Sequence, residues 1–279
     1  MPELIDFEND QIDSQKGHTF FVGTNRSDRF TCSLQDTPHL LVAGETSSGK
    51  STFLRQVITT LYCANETTEF TLIDLKNGLE FQLFKDLPRV AVVPDLEKAS
   101  SKLRALEGEL QQRLDLFAKE GVKDIDTYLQ KTGNHKSFGR HIIVIDEAAE
   151  LFLGSGHLKT TQAIVSKIAR QGRAAGLHLL IGTQRPDSRA LDSQIKANLP
   201  GKLCFQMADL SSSMTVLGNG KAKSLPTIPG RAIWQKGMAN TEVQTPFLSP
   251  AEADIHLKKY RRPRQKNETV RNNASEAGW

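Results

Sequence analysis

The sequence predicts an α/β domain in which a mostly parallel central sheet is flanked by helices, with small β elements at both ends. Three observations carry that expectation. From residue 39 onward, short apolar runs alternate with helical patterns in a βαβ rhythm. Two of the later runs, residues 140–146 and 176–183, are continuous enough for strands buried on both faces. Between the first such strand and the first helix stands Gly44-Glu45-Thr46-Ser47-Ser48-Gly49-Lys50-Ser51, which has the GxxxxGK[ST] spacing of a phosphate-binding loop.

In chain order, residues 19–22 and 30–33 read as short strands joined by a polar turn, an antiparallel flap leading into the core. Next come a strand over 39–43, the phosphate loop, a helix over 50–62, a strand over 69–74 and a short strand over 89–93 after Pro88. Leu96, Leu103, Leu106, Leu110, Leu114 and Phe117 recur at three, four and seven residues, the stripe of a long amphipathic helix that Gly108 weakens and Gly121 interrupts. That stripe fits either a helix packed on the sheet or a partner-binding face. The strand over 140–146, a helix from about 160 to 175, the strand over 176–183, a strand over 202–206 and a hairpin from 231–234 and 242–247 complete the order.

The 279 residues, 38% of them hydrophobic, suit one large α/β domain rather than two independent ones. Cys32, Cys63 and Cys204 are odd in number and lack ligand spacing, so neither a disulfide framework nor a zinc site is expected. No apolar run reaches membrane length and the first ten residues are acidic, so the expected location is the cytoplasm. A net charge of +4 does not select a partner. Its distribution is more telling, because residues 258–266 carry six basic side chains and no acidic one ahead of a polar end. That stretch is either a solubilising terminus or a basic arm for phosphates.

A phosphate loop after a strand aims backbone N–H groups and a helix N-terminus at one anion. Gly44, Glu45, Thr46, Ser47, Ser48, Gly49, Lys50, Ser51 and Thr52 form the expected ATP cradle, with Lys50 on the β- and γ-phosphates and the Ser51 hydroxyl on Mg²⁺. Hydrolysis also needs carboxylates, and Asp146-Glu147 closes a strand that would end on the ligand side of an open sheet. Asp146 is the expected metal-side acid and Glu147 the general base. Gln184, at the end of the next buried strand, would sense the γ-phosphate or the attacking water. Arg170 and Arg173 lie just before that strand and are either solvated or fingers reaching a neighbour's γ-phosphate in a ring.

Five separated blocks, residues 38–51, 144–151, 173–179, 182–186 and 195–200, resemble in content and order the motor domain of FtsK/SpoIIIE DNA translocases. The similarity runs from about residue 20 to 247. Residues 72–76 with Glu80 match a further family block, although proline commonly stands where this chain has Leu75. The resemblance implies a RecA-like P-loop NTPase of the additional-strand catalytic-glutamate type, a homo-hexameric ring, and sequence-independent transport of double-stranded DNA. The implied division is an N-terminal extension and β flap over 1–36, the motor over 37–248 and a basic, flexible tail over 249–279.

Septal translocases of this family carry membrane spans and a winged-helix module, neither of which is read in this sequence. The resemblance therefore falls on the FtsK-like motors of conjugative plasmids and mobile elements, with a membrane transfer or secretion partner. Residues 225–234 and 243–247 are similar to endings in both coupling proteins and type VII secretion ATPases, which leaves a protein-moving motor as the alternative. The loops over 185–196 and 221–223 are either DNA-contacting or solvated turns. Tyr260 is the one aromatic that could stack on a base.

Overall fold

The computed structural model describes residues 2–8, 17–135, 138–154, 158–186 and 193–261. It contains strands β1 (Thr19–Thr24), β2 (Arg29–Ser33), β3 (His39–Ala43), β4 (Glu69–Ile73), β5 (Val90–Val93), β6 (His141–Ile145), β7 (Leu177–Thr183), β8 (Gly201–Phe205), β9 (Arg231–Lys236) and β10 (Ala239–Gln244). The helices are α1 (Lys50–Ala64), α2 (Leu96–Glu120), α3 (Ile125–Thr132), α4 (Ala148–Gly154), α5 (Leu158–Ala175), α6 (Ser193–Ala197), α7 (Leu210–Leu217) and α8 (Pro250–Leu257). All ten strands join one sheet in the order β2-β1-β10-β9-β8-β3-β7-β6-β4-β5. The run from β8 to β5 is parallel, and β9, β10, β1 and β2 extend it in antiparallel pairs.

Every residue of β3, β6 and β7 is buried, the expected state for parallel strands covered on both sides. Their period-two alternation sorts them between two cores. Leu41, Ile143, Ile145, Leu179 and Ile181 face the layer built by α2, α4 and α5. Leu40, Val42, Ile142, Val144 and Leu180 face α1, whose Phe53, Leu54, Val57, Ile58 and Leu61 are fully buried. The stripe on α2 resolves as core: Leu103, Leu106, Leu110 and Phe117 are buried and the helix packs along α5. Asp95 caps its start by accepting from the Lys98 N–H, and Gly121 ends it in the left-handed conformation.

Three features differ from the sequence expectation. The N-terminal β elements are not a separate flap, because β1 pairs with β10 and continues the central sheet. The tail expected from residue 249 begins with a folded helix: Ser249 and Glu252 form a capping box for α8, which packs on α1 with Leu257 fully buried. Tyr260 does not stand free for base stacking, since its ring meets Tyr62 edge-on at 5.4 Å and its hydroxyl donates to the Cys63 carbonyl at 3.1 Å. Residues 262–279, which include three of the six basic side chains of that run, lie outside the described residues.

At the amino edge of the parallel strands, His39 and His178 are both buried. The Leu179 N–H donates to His39 Nδ1 and His178 Nδ1 donates to the Pro38 carbonyl, while neither Nε2 has a partner among the described residues. Burial lowers the His39 pKa to about 3, and burial followed by the neighbouring charges pushes His178 well below the usual histidine value. His18, paired with the Thr68 hydroxyl, is also lowered to about 3, chiefly by burial. All three are neutral in the fold, so their contribution is complete above about pH 6.5 and is lost as pH falls below it. Stability should drop between pH 6 and 5 by about 1.4 kcal/mol per pH unit for each imidazole that must take up a proton on unfolding. Urea unfolding at stepped pH checks this, with His39→Gln expected to lower the histidine part of the slope by about a third.

Candidate active site

The phosphate loop begins where β3 stops. The Gly44 N–H donates to the Thr183 carbonyl, the last residue of the neighbouring β7, so the loop leaves the sheet between β7 and β8. Gly49 sits at φ 116° and a Cβ there would meet the Gly230 nitrogen at 2.8 Å, which only glycine escapes. The Gly230 N–H donates to the Ser48 carbonyl at 2.8 Å, so the turn before β9 braces the loop from the side. No side chain caps α1. Its first-turn N–H groups therefore point into the loop with the positive end of the helix dipole behind them.

Lys50 joins this loop to the end of β6. Its buried Nζ donates to the Asp146 carboxylate at 2.5 Å and to the Asp146 carbonyl at 2.8 Å. The contact spans 96 positions of sequence and depends on a close approach of β6 and β7, because a Cβ on Gly182 would collide with the Asp146 carbonyl. Glu147 is also buried and is held as a carboxylate acceptor on three sides. The Thr183 hydroxyl donates to it at 2.7 Å, the Gln184 N–H at 2.6 Å and the Ala149 N–H at 3.2 Å. Gln184 in turn accepts from the Thr46 hydroxyl at 3.2 Å. A continuous hydrogen-bonded chain thus runs from the phosphate loop through the end of β7 to Glu147.

The strand order explains this chain. β7 lies between β3 and β6, so Thr183 and Gln184 stand between the loop and the acid pair at the carboxyl edge of the sheet. Arg170 and Arg173 are not brought there. They line a cavity with Asp126, Arg140 and His178 at the opposite edge, the length of β7 away, about 20 Å at 3.3 Å per residue. No finger reaches the phosphate loop of its own chain from that position.

Above the loop lies a cleft of about 540 Å³ lined by Thr46, Lys50, Ser51, Thr52, Gln184 and, on its far wall, residues 229–230 and 244–247. Its contents fit a nucleoside triphosphate with a divalent ion. Among the described residues the Ser48 hydroxyl is buried without a protein partner, the α1 amides are uncapped, Ser51 lines the cleft with a hydroxyl, and the Asp146 carboxylate stands behind it on Lys50. Among the described residues no group of three or more His, Cys, Asp or Glu side chains could hold a metal. A magnesium ion here would complete its shell with phosphate oxygens and water. Glu80, from the block that follows β4, also lines the cleft, and its N–H donates at 2.8 Å to the buried Asp74 carboxylate.

Two contributors carry no clear signal in the sequence. Thr183 precedes the expected sensor, and its contact with Glu147 is set by strand order rather than by any local motif. Pro229, Gly230, Thr245, Pro246 and Phe247 build the far wall of the cleft. Their one sequence signal is the density of proline and glycine in two segments about 15 residues apart. Thr183→Val tests the first of these: removing a hydrogen bond to a carboxylate is expected to cost about tenfold or more in kcat with nucleotide affinity unchanged. Steady-state turnover beside a binding titration separates the two quantities.

Residues 7–188 match the model of the FtsK/SpoIIIE family. A DNA translocase FtsK of Helicobacter pylori is 33% identical over 201 residues, 70% of this chain and 24% of that protein. The DNA translocase FtsK of Chlorobaculum tepidum is 32% identical over 230 residues, 78% of this chain and 28% of that protein. The chain thus spans about a quarter of the length of these curated relatives. Among solved structures, the pCW3 conjugation coupling protein TcpA, in its monomer form with ATPγS, superposes with a TM-score of 0.84 at 32% identity, over 93% of this chain and 75% of that one. The cytoplasmic domain of the type VII secretion ATPase EccC of Thermomonospora curvata shares the fold, with a TM-score of 0.77 at 21% identity over 88% of this chain and 31% of that one.

Proposed function

The chain belongs to the FtsK/SpoIIIE family of P-loop ATPases, and on that premise we propose that it hydrolyses ATP to drive double-stranded DNA through a ring of its own copies, in the transfer of a plasmid or other mobile element. The observation that carries this reading is the contact of Lys50 with Asp146 beside a Glu147 held by Thr183 and Gln184. Such an arrangement supplies the cation and the paired acids that a metal-bound triphosphate and its attacking water require. Lys50 and the loop amides would hold the phosphates, Ser51 and Asp146 would hold a Mg²⁺ ion that neutralises phosphate charge, and Glu147 would accept the proton of the attacking water. Gln184, tied to Thr46, reports the state of the γ-phosphate to the end of β7.

The position of Arg173 at the far edge of the sheet supports a ring. An arginine that is remote from its own phosphate loop can serve the loop of an adjacent subunit, where such fingers contribute about 10³–10⁵ in rate. Arg170 is the second candidate for that part. A homo-hexamer would pair each cleft with one such edge. The likeness to a conjugation coupling protein favours transfer of DNA over chromosome segregation, and a membrane-embedded transfer machinery is the expected docking partner. Of the DNA-facing loops expected from sequence, residues 187–192 lie outside the described residues, while Lys221 and Lys223 line a surface cavity near β9 and β10.

The test is ATPase rate with and without saturating linear duplex. Stimulation that falls steeply between about 50 and 200 mM salt is expected for a motor gripping phosphates. Turnover indifferent to duplex at low salt but raised by a peptide would instead assign the ring to protein transport.

A further inference from the structure

Residues 2–8 match no motif, yet they are tied into the nucleotide cleft. The Phe247 N–H donates to the Ile5 carbonyl at 2.7 Å and the Phe7 N–H to the Phe247 carbonyl at 3.1 Å, a one-bridge parallel pairing centred on Asp6. Arg231 anchors the start of the segment by donating to the Pro2 carbonyl at 3.0 Å, and the same guanidinium is fixed by Gln244 and Glu242. The Phe7 ring meets His256 of α8 edge-on at 5.6 Å. These ties present Glu3 and Leu4 to the cleft whose other wall carries Lys50, Ser51 and Thr52.

The surface so formed is apolar where the phosphate side is polar. Leu4 and Phe247 are 60% and 44% exposed, and both residues line this one cleft beside Pro229 and Pro246. Large apolar side chains left open in a concave site are normally covered by a ligand. Only one occupant is continuous with the phosphate loop: the base of the nucleotide whose phosphates lie on Lys50. An aromatic ring flanked by prolines and a leucine offers a stacking platform for a planar base.

We propose that residues 2–8 are a strap that completes the nucleobase subsite, with Phe247 and Leu4 as the side chains that hold the base. The inference rests on the phosphate-site reading above and extends it to the part of the ligand that the phosphate loop does not touch. Because the strap is held by backbone pairing to Phe247 itself, occupancy of the base subsite and docking of the strap on the sheet are coupled: a base stacked on Phe247 favours the paired strap, and the reverse.

The experiment compares titrations of the whole chain with Mg·ATP and with Mg·tripolyphosphate, which lacks base and ribose. Phe247→Ala and Leu4→Ser are each expected to weaken ATP binding about tenfold and to leave tripolyphosphate affinity unchanged. Phe247→Trp should retain ATP binding, with tryptophan fluorescence quenched by ATP but not by tripolyphosphate. A deletion of residues 2–8 should act like Phe247→Ala. Equal losses for both ligands, or no loss of ATP affinity in any variant, would overturn the strap as a base subsite while leaving the phosphate site intact. Failure of both ligands to bind the unaltered chain would overturn the phosphate-site reading itself, and the strap with it.

Discussion

Glu147→Gln is expected to lower ATP turnover by about 10²–10⁴-fold while nucleotide still binds. The glutamine is nearly isosteric, and its amide oxygen can accept from the Gln184 N–H while the Thr183 hydroxyl turns to accept from the new NH₂ group. The Thr183 and Gln184 contacts that position the side chain therefore survive, the weaker Ala149 N–H contact on the Thr183 side is given up, and the chemical loss is the capacity to take a proton from water. The change should appear in kcat, with nucleotide affinity and the urea midpoint close to those of the parent. Turnover within about twofold of the parent would remove Glu147 from the chemical step. A parallel rise in the dissociation constant would instead assign it to ligand binding.

Lys50→Ala is expected to act on both binding and stability. The ammonium is the loop's cation for the phosphates, and losing a charge-assisted contact of that kind should weaken nucleotide binding by about 10–100-fold. Without nucleotide the same side chain neutralises Asp146, and both groups are 3% exposed. Its removal leaves a carboxylate buried without a partner, a situation that costs about 3–5 kcal/mol. The double variant Lys50→Ala with Asp146→Asn should recover most of that stability but none of the affinity. Urea unfolding of the two variants separates these effects. A Lys50→Ala protein as stable as its parent would mean that Asp146 is solvated when unpaired, and a double variant that binds nucleotide normally would overturn the phosphate cradle.

Much of the site is legible in the residues alone because its parts are local. The phosphate loop is eight consecutive residues whose chemistry depends on backbone turns and one helix start. β6 announces itself as an unbroken apolar run closed by Asp146 and Glu147. The helices that the pattern does not announce are short or weakly amphipathic. α7 carries three consecutive serines, and α8 starts at a capping box, Ser249 to Glu252, whose signal is masked by the basic run that follows it. Tyr260 misleads for a related reason. An aromatic among basic residues looks exposed, and its packing on Tyr62 depends on a helix that charge pattern does not predict.

The sequence by itself determined the chemistry available to this chain: an anion cradle at residues 44–52, two acids at the end of a buried strand, and an α/β sheet to carry them. Local propensity and hydrophobic periodicity suffice for that, since each feature lies within one or two turns of chain. Only the tertiary structure decided that β7 lies between β3 and β6, and so that Thr183 and Gln184 join Thr46 to Glu147, that Arg173 lies at the opposite edge, and that residues 2–8 reach Phe247. Those relations link positions from 36 to more than 200 apart. They arise from strand order and from which faces must be buried, which no local window of residues contains.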